Sequence, residues 1–344
     1  MSPIDGSVQV LGTKDEIRSL TWDGDHLVDW VSGEHRYGLD GSHQRAHVFY
    51  AYRFDAAVAT PDGSVAVIYE RGGTKGLVLQ RGKLVREIDR SYYFANAYEY
   101  PICLWTREGR VLLAHCPTDY HRLHVEDALT GDRLTARPEE PQPEDFFQSR
   151  LEVSPGGKRL LSAGWVWHPW SAVALYDVDA ALRDPTTLDR ASFCAAAPGE
   201  AIQEASATWQ SDDRIIVTAD ADTGDPERGE SGQDELRLEP NGVIVYDVRQ
   251  ARCVSACRLE QPAGLVMRVG EGHVLALYQH PRLVQLSDGA VVHAWPDVPT
   301  GTQTSSITRG VSSLPPAMAL DPDRRRIAVA REREIVVISL APFL

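Results

Sequence analysis

The sequence predicts an all-β fold, a seven-bladed β-propeller whose N-terminal strand closes the last blade. Three observations carry this. One unit of about three visible strands recurs along the chain, its copies are spaced by roughly one propeller blade, and no segment shows a sustained helical period. The unit is an alternating apolar strand, a tight turn holding Gly or Asp, a second apolar strand, a loop and a third strand. Its turn centres fall at Gly24, Gly63, Gly109, Gly157, Asp213, Gly272 and Asp323, with steps of 39, 46, 48, 56, 59 and 51 residues. A four-stranded blade needs roughly 40–45 residues, so the longer steps imply longer loops.

The elements follow in order. The blades are expected over 13–50, 51–90, 100–137, 148–196, 203–260, 263–296 and 315–340, in one domain spanning 1–344. The clearest copy runs from Leu151 through Pro155-Gly156-Gly157 to Gly164, followed by 171–178. The first copy, 20–28 leading to 34–39, is the most eroded. The seventh ends at Leu340 with only three strands visible, and the short apolar alternation at 7–11 is expected to supply its outer strand. Closure of this kind removes an open strand edge that would otherwise pair with other chains.

Ser154-Pro155-Gly156-Gly157-Lys158 and Thr60-Pro61-Asp62-Gly63-Ser64 resemble the turn between the first two strands of a WD-repeat blade. Val173–Val178 and Val243–Val248 resemble its third strand, with Tyr-Asp in place of Trp-Asp, and Glu126-Asp127 followed by Thr130-Gly131 resembles the tail of that motif. The resemblance covers nearly the whole chain, with degenerate repeats, and implies architecture more than activity. The family's Gly-His dipeptide before each blade is missing, so the buried His–Asp network typical of the class is expected to be absent.

Composition narrows the function classes. With 35 Lys and Arg against 49 Asp and Glu, the net charge is −14. Such a balance opposes sequence-independent binding of nucleic acid and attraction to anionic membranes. No apolar run reaches membrane-spanning length, and no leader-like N-terminal pattern is visible. Five cysteines at 103, 116, 194, 253 and 257 read as free thiols of a cytoplasmic protein. Cys253 and Cys257 are expected on one face of a strand, without the further ligands a zinc site needs.

Propeller topology puts the loop between strands two and three on the same face as the connection to the next blade, and the Pro-Gly turns on the other. The first face receives 41–53, 90–100, 117–122, 137–149, 165–170, 221–241 and 296–316. It is rich in aromatic residues, and the candidate binding patch is Tyr92, Tyr98, Tyr120, Phe147, Trp165, Trp167, His168 and Trp170. Large rings are commonly buried between blades, so the expectation attaches to the cluster and not to each ring. In an extended segment, Trp165-x-Trp167 would send both rings into one inter-blade layer.

Catalytic chemistry has little support. No Gly-x-Ser-x-Gly and no phosphate-binding glycine loop is present. His115, His121 and His124 form a group in which strand pairing brings two together, with Asp119 near, yet no dedicated metal spacing exists. The 220–227 stretch departs from the calcium-loop pattern and reads as an acidic insertion. No cofactor is expected. The leading expectation is a non-enzymatic scaffold that binds a protein or peptide through its aromatic face. The alternative is a propeller hydrolase or lyase at the channel mouth, drawing on Asp119, His121, Asp145, His168 and His43.

Overall fold

A computed structural model describes residues 7–46, 48–137, 142–167, 170–194, 202–220, 236, 238–309 and 314–344. Among them, seven antiparallel sheets follow one another along the chain, and within each the strands are bonded in sequence order, except that the first strand of the chain joins the last. The inner strands are Thr21–Asp23, Ala56–Ala59, Ile102–Arg107, Leu151–Val153, Glu204–Ser211, Val266–Val269 and Met318–Asp321. The chain is therefore a seven-bladed β-propeller. All seven sequence-predicted turns join an inner strand to the second strand. At Gly24, Gly63, Gly109 and Gly157 the backbone has positive φ, which glycine adopts without a Cβ penalty.

Closure follows the expected route, one residue further along than the sequence reading placed it. Strand Val8–Gly12 pairs antiparallel with Glu334–Ser339, from Val8 opposite Ile338 to Gly12 opposite Glu334. The seventh blade thus takes its outer strand from the other end of the chain, and the ring is fastened by backbone hydrogen bonds.

The core is distributed over the seams. Strand alternation sends residues to both sheet faces, and each blade packs both faces on its neighbours, so strands such as Val65–Tyr69 and Gly242–Asp247 carry long apolar runs. One buried apolar cluster lies at each seam. Leu27 and Tyr37 meet Ala328 and Ile335 between blades seven and one, and Leu161 and Leu175 meet Ile215 and Ile244 between blades four and five.

Three departures from the repeat are local. In blade three the described strands are Ile102–Arg107, Arg110–His115 and His124–Asp127, and the fourth is reduced to a bridge between Glu126 and Arg133. In blade four the third strand runs straight into a helix, Val178–Arg183, which Asp177 caps by accepting from the Ala180 N–H at 2.8 Å. Six residues are too few for a helical period to register in the sequence. In blade five the outer strand Arg252–Arg258 carries a bulge at Val254: Tyr246 opposes Cys253 while Val245 opposes Ser255. The extra residue reverses the alternation. Cys253 and Cys257 therefore occupy opposite faces, one packed toward blade four and the other toward blade six, which corrects the expectation that they share a face.

Candidate functional site

An eighth apolar cluster belongs to no seam. Tyr98, Phe147 and Trp165 form its buried floor, with Phe94, Tyr120 and Ile307 packed against it. These residues come from the connection between blades two and three, the second-to-third-strand loop of blade three, the connection into blade four, the second strand of blade four, and the connection between blades six and seven. All five segments lie on the face opposite the Pro-Gly turns.

The rings are stacked. Phe147 lies 3.8 Å from Trp165 and 4.0 Å from Tyr120, centroid to centroid, both within 20° of parallel. Tyr93 continues the stack 5.1 Å from Tyr120. Trp167 lies 5.9 Å from both Phe147 and Trp165, and Phe94 stands edge-on to Tyr93 and to Trp167. Each such pair adds about 0.5–1.5 kcal/mol beyond its buried area. The rim is open: Tyr92 is 82% exposed, Tyr93 48% and Trp167 43%.

Backbone constraints force this arrangement. The strand Arg159–Val166 approaches Phe147 so closely that the two segments exchange hydrogen bonds, Phe147 N–H to Trp165 O at 2.8 Å and Trp165 N–H to Phe147 O at 3.2 Å. Gly164 makes the approach possible, because a Cβ there would sit 2.0 Å from the Phe147 carbonyl oxygen. The strand ends at Val166, yet the two indoles still lie on one side of it, stacked 5.9 Å apart, with Trp165 buried in the floor and Trp167 43% exposed at the rim. Both rings therefore join the loop-face cluster and not an inter-blade layer, the outcome expected only had the segment stayed extended.

The 91–100 segment is held from beneath by Arg90. Its guanidinium donates to the carbonyls of Gly73, Arg71, Ala95 and Tyr98 and stacks on the Tyr98 and Tyr100 rings at 4.6 and 4.8 Å. Burial among carbonyls and rings lowers the Arg90 pKa from its ordinary value. So fastened, Phe94 keeps φ +50°, a left-handed backbone that bulky residues rarely adopt. In sequence Asp89-Arg90-Ser91 looks like a solvated strand end, and nothing in it announces this role.

A second tie crosses the channel mouth. The connection leaving blade six pairs with the segment entering blade three: Tyr98 bridges Ile307, Glu99 N–H donates to Ser306 O, and Thr308 N–H donates to Ala97 O. Beside them Arg150 holds Glu99 through two hydrogen bonds of 3.2 and 2.9 Å, and Gln303 Nε2 donates to the same carboxylate at 2.9 Å. Residues 301–308 thus strap blade six to blades three and four across the ring.

The sequence-predicted residues divide accordingly. Tyr98, Phe147 and Trp165 are floor, Tyr120 is half-buried, and Tyr92 and Trp167 are rim. Trp170 begins the third strand of blade four, half-buried, and His168 lies outside the described residues. The sequence-level patch omitted Tyr93, Phe94 and the strap.

The histidines are dispersed. His115 and His124 face each other across paired strands, as strand pairing predicts. His115 Nε2 lies 3.0 Å from Glu126, which also pairs with Arg86. Burial alone would raise the Glu126 carboxyl, but these two partners outweigh it and hold it below its ordinary value. His121 packs on Tyr120, and burial lowers its pKa. His43 stacks on Tyr37 in blade one, away from the others. Among the described residues no three metal-ligating side chains converge.

No family model matches the chain, and no curated protein sequence does. Among solved structures 1113 chains are similar, a breadth that speaks for architecture and not for activity. One, described as the crystal structure of a mitotic checkpoint complex, matches with a TM-score of 0.58 at 11% identity, covering 98% of this chain and 94% of that one. The fold and the site define a seven-bladed β-propeller with an aromatic loop face. No helix of the described residues is long and apolar enough to cross a membrane.

Proposed function

We propose that this chain is a WD-repeat-like propeller acting as a non-enzymatic scaffold, which binds a protein or peptide through the Tyr92–Tyr93–Trp167 face. The observation that carries the reading is the eighth cluster: every other apolar cluster fills a seam, whereas this one ends in exposed rings on a rigid floor. Exposed Tyr and Trp on a preorganised support are what interface hot spots require, since little side-chain entropy is lost on docking. The mitotic checkpoint neighbour, itself part of a complex, is compatible with such a role. Five free cysteines fit a reducing compartment such as the cytoplasm.

The alternative, a hydrolase or lyase at the channel mouth, fits less well. On this face the strap spans the mouth, and His43 is remote from Asp119, His121 and Asp145.

The test is to pan a random peptide library against the chain, with the Tyr93→Ala/Trp167→Ala double variant as counter-target. Enriched peptides are expected to lose at least tenfold in affinity for the variant while its melting temperature stays near that of the parent. Peptides that bind both equally would remove this face from consideration.

A further inference from the structure

The charges around the open rings say what kind of side chain they suit. Asp145 accepts a hydrogen bond from the Tyr120 hydroxyl at 2.6 Å and has no cationic partner among the described residues. It is exposed beside the ring stack. Among the described residues, the imidazole nearest the stack is that of His121, whose pKa burial lowers, so that it is uncharged at neutral pH. Arg122, the neighbouring cation, is buried and bound to Asp119. Among the described residues, the rim therefore presents aromatic faces and one carboxylate without a cationic partner, in a chain of net charge −14.

The molecule repeatedly satisfies its own aromatic faces with guanidinium groups. Arg90 lies over Tyr98 and Tyr100, and Arg326 lies 3.8 Å over Trp22. A planar guanidinium stacks on a ring while its N–H groups stay free to reach a carboxylate, a combination the compact ammonium of lysine cannot match. Tyr93 and Trp167 are the exposed rings of the stack, with Phe94 edge-on between them, and no described cation covers them.

We infer that the Tyr93–Trp167 rim, with Asp145, receives an arginine side chain from the partner segment. The inference rests on the reading of this face as the docking surface and adds the chemistry of the residue that enters it. The guanidinium stacks on the open rings and donates to Asp145, whose second partner is the Tyr120 hydroxyl. Because Asp145 is already oriented by that hydroxyl, the carboxylate pays little ordering entropy when the cation arrives.

The test uses the whole chain labelled with 15N at the tryptophan indoles, in 0.15 M salt to screen general attraction to an acidic protein. N-acetylarginine amide, N-acetyl-lysine amide and the neutral isostere N-acetylcitrulline amide are titrated while the Trp167 indole resonance is followed. Arginine amide is expected to shift that resonance saturably, citrulline amide not at all, and lysine amide at several-fold higher concentration. Asp145→Asn is expected to weaken the arginine response about two- to fivefold, and Glu108→Gln, on a turn of the opposite face, to leave it unchanged. An equal response to citrulline, an equal or stronger response to lysine, indifference to Asp145→Asn, or no arginine response would each overturn the arginine assignment. The docking face itself stands or falls on the peptide panning, so the two failures are separable.

Discussion

At the scale of single residues, the molecule places ionisable groups where their protonation bears on stability. The Glu152 carboxyl lies between blades four and five, accepting from Thr208 Oγ1 at 3.0 Å and from the Trp209 N–H at 3.4 Å. Burial pushes its pKa up to about 7, with these bonds opposing. A pKa raised on folding contributes stability that is complete below the unfolded value and lost as pH rises through the folded one. For Glu152 the contribution is present near pH 4.5 and gone above pH 7. Glu152→Gln is expected to be more stable than the parent at pH 8, by roughly 2 kcal/mol, with the gain vanishing toward pH 5. Urea unfolding at the two pH values measures it, and a pH-independent difference would refute the assignment. His43 works in the other direction: burial and then His35 lower its pKa, so its contribution is lost as pH falls below about 6.5. Neither effect can be read from the sequence, where Glu152 is one more polar residue on an alternating strand. Arg90 is equally silent there, because its partners are carbonyls of the 71–73 turn and of the 95–98 connection.

At the scale of elements, the repeat was legible because blade physics writes itself into short windows. Alternation marks strands and Gly-x or Pro-Gly marks the tight turn, so all seven first turns could be assigned by residue. Elements governed by a single inserted residue were not legible. The bulge at Val254 put Cys253 and Cys257 on opposite faces, and the strand end at Val166 left Trp167 at the rim while Trp165, stacked beneath it, became floor. Gly164 permits the contact between the blade-four strand and Phe147, and it sets one prediction. Gly164→Ala would drive a Cβ into the Phe147 carbonyl and the Phe146 ring, the latter 2.7 Å away. The backbone cannot yield as a flexible side chain would, so a loss of at least about 2 kcal/mol is expected, on the scale of core overpacking. Tryptophan fluorescence should also change, since Trp165 leaves its stack on Phe147. A variant as stable as the parent would show that the two segments are not held in contact.

At the scale of the whole molecule, closure has two independent parts. Backbone pairing of Val8–Gly12 with Glu334–Ser339 joins the chain ends, and the 301–308 strap joins opposite sides of the ring over one channel mouth. Replacing 303–308 by a Gly-Ser linker removes the Gln303 and Ile307 side chains that anchor the strap on Glu99 and the ring floor, so its backbone no longer holds Ala97 and Glu99, while the blades stay intact. Amide hydrogen exchange at 97–99 is expected to accelerate at least tenfold, whereas Arg214–Ala219 in blade five keeps its protection. Uniform acceleration across all blades would mean that the strap supports the global fold and not the binding face alone.

The sequence by itself determined the number of blades, the turn that begins each, the need for an N-terminal closing strand and the face on which aromatic loops gather. All of these follow from local periodicity and turn chemistry, together with the rule that a blade's loops alternate between two faces. Only the tertiary structure decided which rings became floor and which became rim. That division depends on where a strand stops, where a glycine permits close approach, and which distant loop crosses the ring. Such choices are made by contacts between segments far apart in sequence, Tyr98 with Ile307 among them. No window of the sequence contains both partners.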